Sequence, residues 1–415
     1  MAGGSSNTSF NEVKLEEGKN YTIPLMVLTS LFFMWAVATN FNDVLMPKLQ
    51  KTLSLDPFET SFVQVAFFFG YGIMAIPAGL IIKKIGYKKG ILVGLATCAL
   101  GALMFIPAAN IKVFSLFLIA LFIIAGGITF LQVAANAFVA VLGDPKTASS
   151  RLNLSQAFNS MGAFVGPQVA AMIMFSESAG EDPADAVKLP YKILAGLFIL
   201  IFIVIYFSKL PEIIEPESEG VTNPLKAFKF KHTTFAVIAI FFYVGAEVGI
   251  GSYFIRFAEY LKLGLKEEEA NRYLVYYMIC AAAGRFGGSY LLKFISPGKL
   301  VGFNALGAVA CILTAIFAGG YASLIALVLV GLMNSIMFPT IFTLGIAKLG
   351  DYTKEGSSLI ITAIVGGAFI APIMGLIMKH YPNSFEYAYF APIVCYLYII
   401  FFGFKGSDST YLDKK

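Results

Sequence analysis

Charged side chains, histidine, cysteine and tryptophan are all scarce in this chain. Only 13% of its 415 residues are Asp, Glu, Lys or Arg and 58% are hydrophobic, a composition far outside that of soluble domains. Two histidines and four widely separated cysteines leave little for a metal site, a disulfide framework or histidine-based acid–base catalysis. The scarcity of charge excludes a water-soluble enzyme and a nucleic-acid-binding protein, and no cofactor is expected.

Long apolar segments are what the chain has in abundance. A helix that crosses a bilayer takes about 20 apolar residues, and twelve segments of suitable length are separated by charged or Gly/Pro-containing breaks. We therefore predict an all-α polytopic membrane protein with 12 transmembrane helices. The predicted spans are 22–46, 59–82, 90–109, 113–142, 152–175, 190–208, 233–258, 273–292, 300–318, 321–347, 357–378 and 387–404.

The spans form two sets of six, and a short repeat supports this division. The segment Leu142-Gly143-Asp144, followed by Ser149-Ser150, recurs as Leu349-Gly350-Asp351, followed by Ser357-Ser358, between the fourth and fifth span of each half. Six spans preserve direction across the membrane, so the halves are predicted to be parallel repeats related by an axis along the membrane normal. The predicted parts are a tail at 1–20, an N-terminal bundle at 21–208, a linker at 209–232, a C-terminal bundle at 233–405 and a tail at 406–415.

The distribution of Lys and Arg predicts the orientation. With the amino terminus inside, nineteen basic residues fall on the cytoplasmic side and nine on the outer side. Cytoplasmic loops carry an excess of Lys and Arg. Both termini and the linker are therefore predicted to be cytoplasmic.

Four ionisable residues remain within the predicted spans: Asp43, Glu247, Arg256 and Arg285. A charge at membrane depth costs several kcal/mol unless it faces a cavity or a partner, so each is a candidate functional residue. Asp43 lies on one helical face with Asn42, which favours a water-filled cavity over a helix end at the outer interface.

Amide side chains recur at helical spacing on other spans. Amides and carboxylates complement the hydroxyl groups of a neutral sugar, which both donate and accept hydrogen bonds. The alternative is that these amides only join helices to one another. The candidate sugar contacts are Asn40, Asn42, Gln132, Asn136, Gln156, Asn159 and Asn334.

Glu247 is central in the seventh span and is the candidate for ion coupling in the second half. Burial disfavours the charged form of a carboxyl group and a nearby cation favours it, so such a group can exchange a proton or ligate Na+. The alternative is a static pair with Arg256, although nine residues of separation place the two on roughly opposite helix faces. Arg285 is a candidate for a gating or structural ion pair.

Several motifs give the chain a resemblance to a known family. It resembles the fucose-galactose-glucose:cation symporters of the major facilitator superfamily over nearly its whole length. The motifs are Asn40-Phe41-Asn42-Asp43, Arg151-Leu152-Asn153-Leu154, Gln156-Ala157-Phe158-Asn159-Ser160, Tyr243-Val244-Gly245-Ala246, Gly284-Arg285-Phe286 and Pro339-Thr340-Ile341-Phe342-Thr343-Leu344-Gly345. The resemblance implies the twelve-helix major facilitator fold, a central sugar site and alternating access driven by a cation gradient, in a bacterial cytoplasmic (inner) membrane.

The resemblance also distinguishes two branches. The proton-coupled fucose branch has an aspartate matching Asp43, a glutamate where this chain has Gln132, and a glutamine where it has Glu247. The motifs around Gln132, Glu247 and Asn334 look like the glucose/galactose branch, some members of which depend on sodium. Ala137, where the family usually has Pro, departs from this pattern, and the segment Ser252-Tyr253-Phe254-Ile255-Arg256 looks more like the fucose branch.

We therefore expect a hexose symporter that works as a monomer, with glucose or galactose as the favoured sugar. Na+ is the favoured ion and would bind near Asp43 or Glu247. Tyr243 is expected among the sugar contacts, and Trp35 is expected either to stack on the sugar ring or to be a core aromatic. The alternatives are a proton-coupled fucose or mannose symporter, an uncoupled facilitator or exporter, and a membrane sugar sensor.

Overall fold

The computed structural model describes residues 21–52, 57–174, 185–211, 223–381, 384–410 and 412. Within them the chain is helical and contains no strand. The described residues contain fourteen α-helices, numbered here in chain order. They are α1 Thr22–Thr52, α2 Pro57–Ile85, α3 Tyr87–Ile111, α4 Phe114–Val141, α5 Ala148–Met174, α6 Asp185–Phe207, α7 Lys231–Tyr260, α8 Glu267–Leu291, α9 Pro297–Phe317, α10 Gly320–Asn334, α11 Met337–Gly345, α12 Thr353–Thr362, α13 Gly367–His380 and α14 Phe390–Phe401.

The all-helical fold confirms the sequence prediction, and it has a simple cause. Apolar surroundings offer no hydrogen bonds to the backbone, and an α-helix satisfies its N–H and C=O groups internally. Nine helical units of the described residues are long and apolar enough to cross a membrane, and Thr22–Val37 is a shorter apolar helix. The helices α5 and α8 are not among the nine, because polar side chains interrupt their apolar runs, and these two helices pack against each other.

Spans ten, eleven and twelve are not the continuous helices that the sequence analysis assumed. Span ten divides into α10 and α11, which are separated by Ser335 and Ile336. The break has a local cause: Pro339 in the first turn of α11 has no N–H with which to bond the carbonyl of Ser335, four residues earlier. Span eleven divides into α12 and α13 around the 3₁₀ turn Ala363–Gly366, and span twelve is α14 between the 3₁₀ turn Phe385–Tyr389 and the π-helical turn Phe402–Gly406.

The 3₁₀ turn of span eleven allows a close approach to α7. A Cβ atom added at Gly366 would lie 2.1 Å from the carbonyl oxygen of Phe241, and one added at Gly245 would lie 2.2 Å from Ile370. Only glycine fits at such distances. The two spans are therefore packed backbone to backbone, one half-turn before Glu247.

A seam of contacts joins the two halves of the chain on one face of the protein. This face carries the connections α2–α3 and α4–α5 and the segment Pro224–Lys229, and we call it the linker face. The Oγ of Ser149 lies 2.6 Å from Oγ1 of Thr343, and Ser150 donates to the carbonyl of Ser289 at 2.6 Å. From the other half, Ser357 donates to the carbonyl of Val133 at 2.9 Å. Both copies of the repeated Ser-Ser pair thus bond to the opposite half.

Charged residues reinforce this seam. Lys83 at the end of α2 lies 2.5 Å from Glu355 of α12, whose side chain is 1% exposed. Lys354 is also buried and lies over the ring of Tyr87, with its Nζ 4.9 Å from the ring centroid. The linker face is closed by hydrogen bonds, an ion pair and a cation–π contact between the halves.

Replacing Glu355 by Gln is expected to open the linker face. Removing one partner of a buried ion pair costs about 3–5 kcal/mol, so the ratio of closed to open molecules should fall by more than about tenfold. Spin labels on Lys89→Cys and Lys299→Cys, which are exposed positions of opposite halves on this face, would measure the change by double electron–electron resonance, with Cys280 and Cys311 replaced by Ala.

Lys83→Met removes the other partner of the ion pair, and Lys84→Met is its matched control. Lys84 is adjacent and exposed, whereas Lys83 forms the ion pair. An unchanged distance distribution in both Glu355→Gln and Lys83→Met would contradict the assignment of this pair to the closed face.

Candidate functional site

The amides of the first half form a connected group on α4 and α5. Gln132 and Asn136 are four residues apart and share one face of α4. Gln132 donates to the hydroxyl of Tyr71 at 3.0 Å, and Gln156 of α5 donates to Oδ1 of Asn136 at 3.3 Å. The structure therefore brings together three of the amides that the sequence predicted for the sugar site.

Exposure differs among these side chains. Gln132 is partly exposed, Gln156 is 6% exposed and Asn136 is fully buried. No hydrogen-bond partner within the described residues reaches Nδ2 of Asn136. A buried amide donor without a partner costs about 1–3 kcal/mol. This nitrogen can therefore donate a hydrogen bond to a ligand that reaches it.

Two other predicted sugar contacts lie where α1 meets α5. Asn159 is partly exposed and donates to the carbonyl of Phe32 at 2.9 Å. Trp35 is 3% exposed and its ring centroid lies 4.2 Å from that of Phe32. In this conformation Trp35 is therefore packed as a core aromatic, and Asn159 ties α5 to the same turn of α1.

The remaining predictions on α1 divide into two cases. Asn40 is partly exposed and donates to the carbonyl of Ala36 at 2.7 Å, one turn earlier in the same helix. Asn42 and Asp43 belong to α1, but they lie outside the residues whose side chains the structure describes. Their predicted contacts with sugar and ion stay predictions.

Glu247 is partly exposed on α7 and is held by Tyr243, one turn earlier. The hydroxyl of Tyr243 lies 2.7 Å from Oε1 of Glu247 and 3.3 Å from the carbonyl oxygen of Asn334. A hydroxyl carries one proton, so these two acceptors compete for it. Within the described residues the carboxylate bonds only the Tyr243 hydroxyl and is partly exposed, so it can accept further ligands.

Asn334 is the centre of a second group of hydrogen bonds. It ends α10, is fully buried, donates to the hydroxyl of Tyr277 at 3.0 Å and accepts from the hydroxyl of Tyr396 at 2.6 Å. The hydroxyls of Tyr71, Tyr277 and Tyr396 were not predicted from the sequence, because tyrosine counts as apolar in a search for spans, although a buried hydroxyl needs a partner.

Arg285 joins the two groups, whereas Arg256 does not. The Nε of Arg285 donates to the carbonyl of Ser335 at 3.1 Å, and Nη1 donates to the carbonyl of Gln156 at 3.2 Å and to Oγ of Ser160. Arg256 is exposed one turn before the end of α7 and lies over the ring of Tyr253 at 5.8 Å. The pair of Glu247 with Arg256 that the sequence left open does not form.

Replacing Tyr277 by Phe is expected to destabilise the protein. The change leaves Nδ2 of Asn334 without its acceptor, and an unsatisfied buried donor costs about 1–3 kcal/mol. The melting temperature in detergent should fall for Tyr277→Phe. It should also fall for Tyr396→Phe, because Oδ1 of Asn334 loses the hydroxyl that donates to it.

Tyr276→Phe is the matched control for these two variants. Tyr276 is the exposed neighbour of Tyr277 and meets Tyr273 ring to ring, a contact that does not need the hydroxyl. Equal melting temperatures for all three variants would contradict the role given to the buried hydroxyls.

Comparison with known proteins gives one consistent result. The family model described as Major Facilitator Superfamily matches residues 27–372. The chain is 41% identical to a glucose/galactose transporter of Brucella abortus, over 94% of this chain and 96% of the relative. It is 38% identical to the L-fucose-proton symporter of Escherichia coli, over 95% of each chain. The crystal structure of FucP in the outward conformation matches with a TM-score of 0.85 and 38% identity, over 94% of this chain and 100% of that one. The chain belongs to the Major Facilitator Superfamily.

Proposed function

We propose that this protein is a cation-coupled symporter of a hexose, with glucose or galactose as the sugar and Na+ as the favoured ion. The relatives named as a glucose/galactose transporter and an L-fucose-proton symporter support sugar symport. The observation that carries the proposal is the partly exposed carboxylate of Glu247 on α7 of the second half, together with the amide-rich group on α4 and α5 of the first half. One half offers a group for a cation and the other offers groups for hydroxyls.

The amide group suits a neutral sugar. Each amide presents both a donor and an acceptor, so it can bond a hydroxyl in either direction. Gln132 and Asn159 are partly exposed, and they would meet the sugar first. An apolar pocket without such amides would not distinguish epimers, because epimers differ only in the direction of one hydroxyl.

Oxygen donors near Glu247 suit Na+. In transporters, carbonyl groups freed where a helix unwinds commonly coordinate the coupling ion. The break between α10 and α11 lies within hydrogen-bonding reach of the Tyr243 hydroxyl that also bonds Glu247. An amide at position 132 removes one candidate proton carrier from the first half and leaves Glu247 and Asp43 as the carboxylates for coupling.

Coupling requires that only the empty and the doubly loaded protein change access. A ligand shifts a conformational equilibrium only through different affinities for the two states. We propose that the linker face is cytoplasmic, because the excess of basic residues favours that orientation. Since the linker face is closed in this structure, the central site would then be open to the outside, as in an outward-facing transporter. The same proposal places both termini in the cytoplasm and the protein, as a monomer, in the bacterial inner membrane.

Uptake by sealed vesicles tests the function directly. Purified protein should accumulate labelled glucose when an inward Na+ gradient is imposed, and galactose should compete. Accumulation with an inward H+ gradient alone would replace Na+ by H+ in the proposal. Equilibration without accumulation under either gradient would identify a facilitator, and sugar binding without uptake would identify a sensor.

Replacing Glu247 by Gln is expected to abolish accumulation while exchange of labelled for unlabelled sugar continues. Gln keeps the size of the side chain and an acceptor for Tyr243, but it removes the negative charge that a cation needs. Initial rates of exchange should stay within about tenfold of the original protein, since the sugar contacts are unchanged.

Glu259→Gln is the matched control for Glu247→Gln. Glu259 is an exposed carboxylate on the same helix, three turns nearer its end. Gradient-driven accumulation by Glu247→Gln at the level of Glu259→Gln would remove Glu247 from the coupling site.

A further inference from the structure

A path of hydrogen bonds, joined through the peptide segment Asn334-Ser335, runs from Glu247 to α5 of the opposite half. We propose that Arg285 is a positioning residue that transmits the charge state of Glu247, through the break between α10 and α11, to the sugar-binding residues of α5. The inference rests on the proposed function only in taking Glu247 as the group that a cation neutralises.

The first step runs from the carboxylate to the break. Tyr243 shares its proton between Glu247 and the carbonyl of Asn334. When a cation or proton occupies the carboxylate, the carboxylate becomes a weaker acceptor and the hydroxyl turns toward the carbonyl. A change of charge at Glu247 therefore changes a hydrogen bond at the last residue of α10.

The second step runs through the break itself. Pro339 cannot donate to the carbonyl of Ser335, and the Nε of Arg285 bonds that oxygen at 3.1 Å. Asn334 and Ser335 are consecutive, so the two carbonyls belong to one peptide segment. Tyr277 and Tyr396 hold the side chain of Asn334, so the segment moves as a unit with the core of its own half.

The third step crosses between the halves. A guanidinium group is planar and presents its donors in a fixed fork. Because Nε of Arg285 is bound to Ser335, its Nη1 is aimed at the carbonyl of Gln156 and at Oγ of Ser160. These two residues lie on either side of Asn159 in sequence, and the amide of Gln156 bonds Asn136.

The arrangement gives the coupling a direction. Glu247 and Arg285, both among the described residues, form no direct ion pair and are connected through the Tyr243 hydroxyl and the Asn334-Ser335 segment. A negative Glu247 keeps the Tyr243 proton from the carbonyl of Asn334 and draws the positive Arg285, with the segment bound to it, away from α5. A neutralised Glu247 gives that proton to the break and leaves the guanidinium on α5. Cation binding therefore favours the contacts of Arg285 with α5, which are those of the closed linker face, and orders the amides that meet the sugar.

A double-mutant cycle of Glu247 and Arg285, measured with spin labels on the linker face, tests this inference without sugar. The label pair Lys89→Cys and Lys299→Cys reports the ratio of closed to open linker faces in sodium-free buffer. Glu247→Gln, which mimics the neutralised carboxylate, should raise that ratio by about fivefold or more. The same change should have no effect when Arg285 is replaced by Met.

Arg285→Lys separates the fork geometry from the charge. Lysine keeps the charge but cannot bond Ser335 and α5 together, so it too should abolish the response to Glu247→Gln. Arg272→Lys, at an exposed position on the same helix, should keep the response. An equal shift in the Arg285 variants, or no shift for Glu247→Gln in any background, overturns the inference.

The two proposals fail separately. A protein that does not accumulate sugar under either gradient loses the proposed function, whereas the distance cycle still decides the role of Arg285. If the protein accumulates sugar, the proposed function stands. If Glu247→Gln then changes the ratio of closed to open linker faces equally with Arg285 intact and in the Arg285→Lys and Arg285→Met backgrounds, only the role of Arg285 is refuted.

Discussion

The carbonyl groups left without helical partners where span ten breaks are the constraint on which the centre of this protein depends. Polar backbone groups away from water must be bonded by protein, and Pro339 removes the donor that would have bonded Ser335. Arg285 supplies the missing donor from a neighbouring helix, and its charge in turn has to be accommodated at that depth. The carbonyl of Gln156 and the hydroxyl of Ser160 on α5 meet this need, so one missing N–H links span ten, α8 and α5.

The seam on the linker face follows a different rule, which is symmetry. The repeated Ser-Ser pair stands at the start of α5 in the first half and in α12 in the second, and each copy bonds the opposite half. Serine is small enough to let helices approach and still carries a donor. The two copies of one short sequence repeat thus supply both sides of the contact. Among the residues that the structure describes, the ion pair between Lys83 and Glu355 has no counterpart in this repeat, which makes the seam asymmetric.

Much of the fold could be predicted from the sequence, because a long apolar run specifies a spanning helix even where, as in α5 and α8, polar side chains interrupt it. Gln132 and Asn136 could be predicted to share a face because they are four residues apart, whereas the contact of Gln156 with Asn136 depends on how α5 packs on α4. The break in span ten was not predicted, although Pro339 was visible, because the sequence does not show which donor replaces the one that proline lacks. Lys83 and Glu355 are 272 residues apart, and a pairing of that range is fixed by packing of the two halves. The hydroxyls of Tyr277 and Tyr396 were hidden within apolar runs.

The chain has one tryptophan, and the residue on which it packs is bonded to α5. Trp35 packs on Phe32, and the carbonyl of Phe32 holds the amide of Asn159 on α5. Any movement of α5 relative to α1 changes the packing and the local polarity around that single indole. Its emission therefore arises from one position in the molecule, next to the proposed sugar contacts, and the unmodified protein carries its own optical probe of occupancy.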